Sequence, residues 1–116
     1  TDMSWMFNAA DNFNQNLSGW DVSNVVYMNQ MFFYATGFNQ DISNWDVSSV
    51  TDMRNMFEAA DRFDQDISDW DISNVTRMGS MFLSADDLSD ENKCAIHTSF
   101  DSNTNWPYDW ESFCSD

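Results

Sequence analysis

Methionine recurs at Met3, Met28, Met53 and Met78, 25 residues apart each time, and the other large apolar residues keep the same spacing. Met6, Met31, Met56 and Met81 form a second column, and Phe7, Phe32, Phe57 and Phe82 a third. Ala10, Ala35, Ala60 and Ala85 follow, then Phe13, Phe38, Phe63 and Leu88. Leu17, Ile42 and Ile67, then Trp20, Trp45 and Trp70, then Val22, Val47 and Ile72, and finally Val25, Val50 and Val75 complete the set. A fixed period of this length with every apolar column retained means stacked repeats, each burying its face against its neighbours. The sequence therefore predicts an α/β solenoid of 25-residue coils, over residues 3–27, 28–52 and 53–77 with a partial coil at 78–88. The pattern stops at residue 89, so 89–116 is expected to form a C-terminal cap of helix plus aromatic tail.

Two hydrophobic periods alternate within a coil. Met53, Met56, Phe57 and Ala60 stand at i, i+3, i+4 and i+7, the spacing of one helical face, with Thr51 placed as an N-cap and Asp52 at the positive end. Each M-x-x-M-F segment is thus predicted as a short helix. In Trp70-Asp71-Ile72-Ser73 apolar and polar residues alternate, which reads as a short strand with Trp and Ile facing inward. Stacked strands need about 4.8 Å and stacked helices about 10 Å, so coils of this kind should bend, with the strands on the concave side.

The run M-x-x-M-F-x-x-A-x-x-F-N-Q-D-I-S-x-W-D-V-S-x-V-T-x-M resembles the 25/26-residue repeat of the BspA-like family, also described in mycoplasma surface lipoproteins. Its core spacing is similar to that of leucine-rich repeats. The resemblance covers about residues 1–88. It implies a leucine-rich-repeat-like solenoid on cell-surface proteins, often linked to adhesion, and it brings no catalytic residues.

Charge narrows the partners. Twenty acidic residues against four basic ones give a net charge of −16, which argues against nucleic acid or an anionic membrane surface. The same acidity also serves solubility alone. Asp21, Asp46 and Asp71 occupy the outward position of the predicted strands, so stacking sets three like charges in a row, with Ser23, Ser48 and Ser73 two residues on. These six residues are the candidate binding site on the concave face. A row of carboxylates invites a cation, calcium by its preference for oxygen ligands, at Asp21, Asp46 and Asp71. Alternatively each Asp accepts hydrogen bonds from nearby amides or hydroxyls and simply fixes its turn. Asn14, Asn39 and Asp64, beside Gln15, Gln40 and Gln65, form a second polar ladder suited to satisfying backbone groups between coils.

Catalytic signatures are lacking. His97 is the only histidine, the three glycines Gly19, Gly37 and Gly79 are scattered, and columns of identical Asp offer no asymmetry to separate an acid from a base. The two cysteines, Cys94 and Cys114, lie outside the repeats and suggest one local disulfide and an oxidising, extracellular setting, two free thiols being the alternative. Asn16-Leu17-Ser18 and Asn74-Val75-Thr76 match the glycosylation sequon. No apolar run is long enough to span a membrane.

Ser89-Asp90-Glu91-Asn92 reads as an N-cap and acidic first turn of a helix reaching about Phe100. Trp106, Tyr108 and Trp110 either fold over the last coil or form a sugar-binding platform. Thr1 falls in the column of Thr51 and Thr76, which leaves the first coil open and suggests further repeats upstream or self-association there. The expected function is a non-catalytic extracellular module for adhesion to a surface protein or glycan, with the rim varying at Gly19, Asn44 and Asp69. End-to-end assembly into a stalk or filament, with or without a cation, is the alternative.

Overall fold

Each coil closes on itself through tight turns and reaches its neighbours through backbone hydrogen bonds in 25-residue register. The computed structural model describes residues 1–114. Among them the regular elements are one α-helix, α1 (Asp90–Phe100), and a 3-10 helix, Glu111–Cys114. The predicted α/β solenoid is therefore wrong: the described residues contain neither strands nor a sheet, and the M-x-x-M-F segments are not helical. Parallel pairing shrinks to the isolated bridges Asp2–Tyr27, Tyr27–Asp52 and Asp52–Arg77. The radius of gyration, 13.0 Å, is that of a compact globule, for which about 13 Å is expected at this length.

The helix fails for a backbone reason. Asn55 and Ala59 adopt left-handed φ of 57° and 56°, as do Trp5, Ala9, Gln30, Tyr34, Ser80 and Ser84 at the same two places in the other coils. Such a conformation costs about 1–2 kcal/mol per non-glycine residue and breaks the i to i−4 ladder. Met56 N–H and Ala60 N–H donate instead to Met53 and Phe57 carbonyls, three residues back, at 3.2 and 3.0 Å. The intervening N–H groups of Met53, Asn55, Phe57 and Ala59 donate to Arg77, Gly79, Met81 and Leu83 of the next coil at 2.8, 3.0, 2.8 and 2.8 Å. The first coil makes the same four bonds to the second, and the second to the third. Twelve ladder bonds offset the left-handed strain, and the spacing i, i+3, i+4, i+7 still buries Met53, Met56, Phe57 and Ala60. A ladder of turns thus imitates a helical face in sequence.

The strand fails because the side chain competes for the backbone. The N–H of Ser23, Ser48 and Ser73 donates to Oδ1 of Asp21, Asp46 and Asp71, each at 3.0 Å. Val25, Val50 and Val75 N–H donate three residues back, to Val22, Val47 and Ile72, at 2.9, 2.9 and 3.0 Å. Groups that a sheet would need are already used by Asx-type turns.

Aromatic columns fill the space between coils. Phe7, Phe32, Phe57 and Phe82 stack with centroids 5.4, 5.6 and 5.4 Å apart, and Phe13, Phe38 and Phe63 with steps of 6.1 Å. Trp45 and Trp70 stack at 6.5 Å, and their indole N–H groups donate back to Leu17 and Ile42 carbonyls at 3.0 Å. The two sides of the coil therefore advance by similar steps, about 1 Å different, where a helix–strand coil would differ by about 5 Å. The expected source of concavity on the Trp-Asp-Val-Ser side is absent.

The polar ladder leads into the closing segment. Asn14 Oδ1 accepts the Asn39 N–H, Asn39 Oδ1 accepts the Asp64 N–H, and Asp64 Oδ1 accepts the Ser89 N–H, at 2.9, 2.9 and 2.8 Å. Asp64 also accepts from the Asn92 side chain at 2.8 Å, so the start of α1 is pinned to the third coil. Ser89 caps the helix by accepting the Asn92 N–H, and Asp90 and Glu91 lie at its positive end. Ile96 and Phe100 are fully buried. Cys94 and Cys114 form a disulfide that ties the tail to α1.

Candidate functional site

The six residues singled out in the sequence form three separate Asp–Ser turns, not one convergent site. Ser23 Oγ donates to Asp21 Oδ1 at 2.6 Å and Ser48 Oγ to Asp46 Oδ1, in addition to the backbone bonds. These hydroxyls, and after them the serine N–H groups, hold the carboxyls of Asp21, Asp46 and Asp71 below their usual value. Asp21 and Asp71 push Asp46 the other way, but the hydrogen bonds win. No group of three or more His, Cys, Asp or Glu side chains among the described residues is placed to hold a metal ion. The residues present thus do not fit the calcium expected at Asp21, Asp46 and Asp71: each carboxylate turns toward its own serine.

The same turn recurs elsewhere and explains much of the acidity. Asp2, Asp41 and Asp66 accept from Ser4, Ser43 and Ser68 N–H at 2.9 Å, and Asp52 accepts from Arg54 N–H at 3.0 Å while pairing with its guanidinium at 2.8 Å. Carboxylates at i to i+2 turns are structural acceptors, stronger than neutral amides because they are charged.

The positions expected to vary along a binding rim are partly structural. Asn44 Nδ2 donates to the Ser18 carbonyl of the preceding coil at 2.9 Å, and Asn74 Nδ2 to Ser48 at 2.7 Å. A glycan on Asn74 would compete with that bond. Gly19 and Asp69 are exposed.

The tail aromatics pack inward. Trp106 is buried, Tyr108 Oη accepts the Phe82 N–H at 3.0 Å, and Trp106, Tyr108 and Trp110 all approach the Phe82 ring at 5.4–6.3 Å. His97 Nδ1 accepts the Trp106 indole N–H at 3.1 Å and the Trp110 backbone N–H at 3.4 Å. The only histidine is thus an acceptor that shapes the tail. Asn103 closes the adjacent coil by donating to Ile72 and Val75 carbonyls at 3.0 Å. Between this segment and the Asp71 turn lies an open groove of about 490 Å³, lined by Asp71, Ser73, Thr76, Ser99 and Asn103 among others.

A surface that sequence reasoning missed lies on the turn ladder. Trp5 and Tyr34 are each 47 % exposed, and Phe33 lies between them, edge-on to Trp5 at 5.6 Å and to Tyr34 at 4.5 Å. Amides continue this ledge: Asn29 donates to Gln30 at 2.8 Å, Gln30 to Asn55 at 3.4 Å, and Asn55 to Glu58. The signal was present in the columns that do not repeat. Trp5, Gln30, Asn55 and Ser80 share one column, Asn8, Phe33, Glu58 and Leu83 another, and Ala9, Tyr34, Ala59 and Ser84 a third. Where buried columns keep one residue or a close apolar equivalent, these change from each coil to the next.

No helix among the described residues is long and apolar enough to cross a membrane. Residues 1–96 match a family described as "Mycoplasma protein of unknown function, DUF285". No curated protein and no solved structure matches the chain.

Proposed function

The chain belongs to that mycoplasma repeat family, and from this premise we propose that it is a non-catalytic module that binds a protein or glycan at a cell surface. The observation that carries the reading is the ledge formed by exposed Trp5 and Tyr34 with the half-buried Phe33 between them, on an otherwise repetitive scaffold. Large aromatic side chains left in water on one face, flanked by amides and a carboxylate, favour contact with a ligand that has both apolar and hydroxyl or amide groups. The resemblance of the repeat to BspA-like surface repeats supports an extracellular location, and the disulfide is the kind of bond that oxidising surroundings maintain. The net charge of −16 directs the choice of partner to neutral or basic surfaces.

The test is binding of the purified chain to arrays of neutral glycans and of extracellular proteins, repeated with Trp5→Ser, Phe33→Ser and Tyr34→Ser combined. The expected result is a specific signal that the triple variant loses while its melting temperature changes by no more than about 4 °C, as befits surface substitutions. No signal on either array would remove the adhesion reading. A signal retained by the variant would move the site away from the ledge.

A further inference from the structure

The groove beside the Asp71 turn shares no residue with the ledge and differs from it in chemistry. One wall belongs to the third coil, with Asp71 and Thr76, and the other to the segment 99–105. That second wall lies beyond residues 1–96, which match the repeat family, so the repeat alone does not supply the groove. The walls are joined before any ligand arrives, which lowers the cost of ordering them on binding. Ser99 Oγ donates to the Ser68 carbonyl at 2.6 Å, and Asn103 Nδ2 donates to the Ile72 and Val75 carbonyls at 3.0 Å. The Asn105 N–H donates in turn to Asn103 Oδ1 at 2.8 Å.

Several polar groups are left over from this framework. The Ser102 and Thr104 hydroxyls and the Asn105 side-chain oxygen have no hydrogen-bond partner among the described residues. Asp71 accepts the Ser73 N–H through Oδ1, which leaves lone pairs on Oδ2. Trp70, Ile72 and Val75 close the groove from the core side, so apolar surface lies beneath the polar groups. No lysine, arginine or histidine lines it, and an anionic ligand would meet the Asp71 carboxylate without a counter-charge. Its volume of about 490 Å³ falls within the roughly 300–1,000 Å³ of small-molecule sites.

We propose that this groove binds a short neutral saccharide, at a second point of contact separate from the ledge. Sugar hydroxyls both donate and accept, which matches two free hydroxyls, an amide oxygen and a carboxylate, while the C–H face of a ring suits the apolar floor. An extended peptide is matched less well. It calls for a row of free backbone groups, and the Ile72 and Val75 carbonyls are already taken by Asn103.

The experiment is saturation-transfer NMR of the purified chain with lactose, cellobiose, maltose and N,N′-diacetylchitobiose, with glucuronic acid as the anionic control. Measurement in solution detects weak binding that washing would remove. Transfer to at least one of the disaccharides is expected, and little to the acid. Ser102→Ala combined with Thr104→Val removes two exposed hydroxyls that have no structural partner and is expected to weaken binding about tenfold, with the melting temperature within about 4 °C. Asp71→Asn, which keeps an acceptor for the Ser73 N–H, is expected to weaken it similarly. The chain carrying Trp5→Ser, Phe33→Ser and Tyr34→Ser together should bind the disaccharide as before. Silence from every disaccharide, equal transfer to glucuronic acid, or binding that the Ser102 and Thr104 changes leave intact would overturn the proposal. Loss in the ledge variant alone would place the saccharide on the ledge instead, which overturns the groove and leaves the adhesion reading standing. An extracellular protein whose binding is lost only in the groove variants would give the groove to a peptide.

Discussion

Trp→Phe is the same chemical change in three coils, yet the structure assigns it different consequences. Trp70 is 3 % exposed, and its indole N–H donates to the Ile42 carbonyl at 3.0 Å. Phenylalanine removes the donor and leaves that buried carbonyl without its partner, at about 1–3 kcal/mol. The smaller ring also leaves a void beside Trp45 and Phe57, worth about another 1 kcal/mol. The sum is about 2–4 kcal/mol, or a fall in melting temperature of about 8–16 °C for a chain of this size. Trp45→Phe should cost a similar amount, because its bond to Leu17 has the same length and it is 4 % exposed. Trp20 is 40 % exposed and makes no such bond among the described residues, so Trp20→Phe should cost less than about 1 kcal/mol. Urea denaturation followed by circular dichroism measures all three on one scale. If Trp20→Phe proved as damaging as Trp70→Phe, the indole-to-carbonyl bond would not be what holds successive coils together.

Acid provides a second test. Asp21, Asp46 and Asp71 titrate below their usual value of 3.8 in the folded chain because their serines bond the ionised form, and Asp2 and Asp41 do likewise. A depressed folded pKa stabilises above the unfolded value and is lost as pH falls through the folded one, so the melting temperature should drop as pH falls below about 4. A protein governed only by repulsion among 20 acidic side chains would instead gain stability there. Asn39→Leu removes the acceptor of both Asp64 N–H and Gln65 Nε2 and should cost about 1–3 kcal/mol, whereas Asn39→Asp keeps it and should be nearly neutral; equal losses in thermal melts would refute the ladder. A Cβ on Gly37 would lie 2.4 Å from the Asp11 carbonyl oxygen, so Gly37→Ala should cost about 1–3 kcal/mol, and an unchanged melting curve would refute that close approach. Replacing Cys94 and Cys114 by Ala should cost about 3 kcal/mol on the chain-entropy account of a 20-residue loop, read as a lowered urea midpoint.

The repeat period and its buried columns were legible because large apolar residues must meet one another at every interface, and Met53, Met56, Phe57 and Ala60 do so. The secondary structure assigned to them was not. Hydrophobic spacing reports which side chains face inward, and a turn ladder with left-handed residues at Asn55 and Ala59 faces the same four inward as a helix does. Asn55 is of a type that tolerates a positive φ, but Ala, Gln, Tyr, Trp and Ser at the other seven places do not announce one, where glycine would have made it conspicuous. Trp70-Asp71-Ile72-Ser73 misled in the opposite way: its alternation is real, but the Asp-x-Ser pair takes the serine N–H that a strand would share. The N-cap at Ser89 was readable because capping depends on local sequence. The ledge of Trp5, Phe33 and Tyr34 escaped because attention to what repeats passes over what does not.

The left-handed positions restrict what that surface can say. Of the eight, Trp5, Ala9, Gln30, Tyr34, Asn55, Ser80 and Ser84 reach solvent to some degree, and only Ala59 is buried. A β-branched side chain is badly strained at such φ, and none of the eight is Val, Ile or Thr. Diversification of this face therefore draws on a reduced alphabet imposed by backbone handedness: aromatics, amides and small residues are admitted, and the branched aliphatics that fill the interior are kept out.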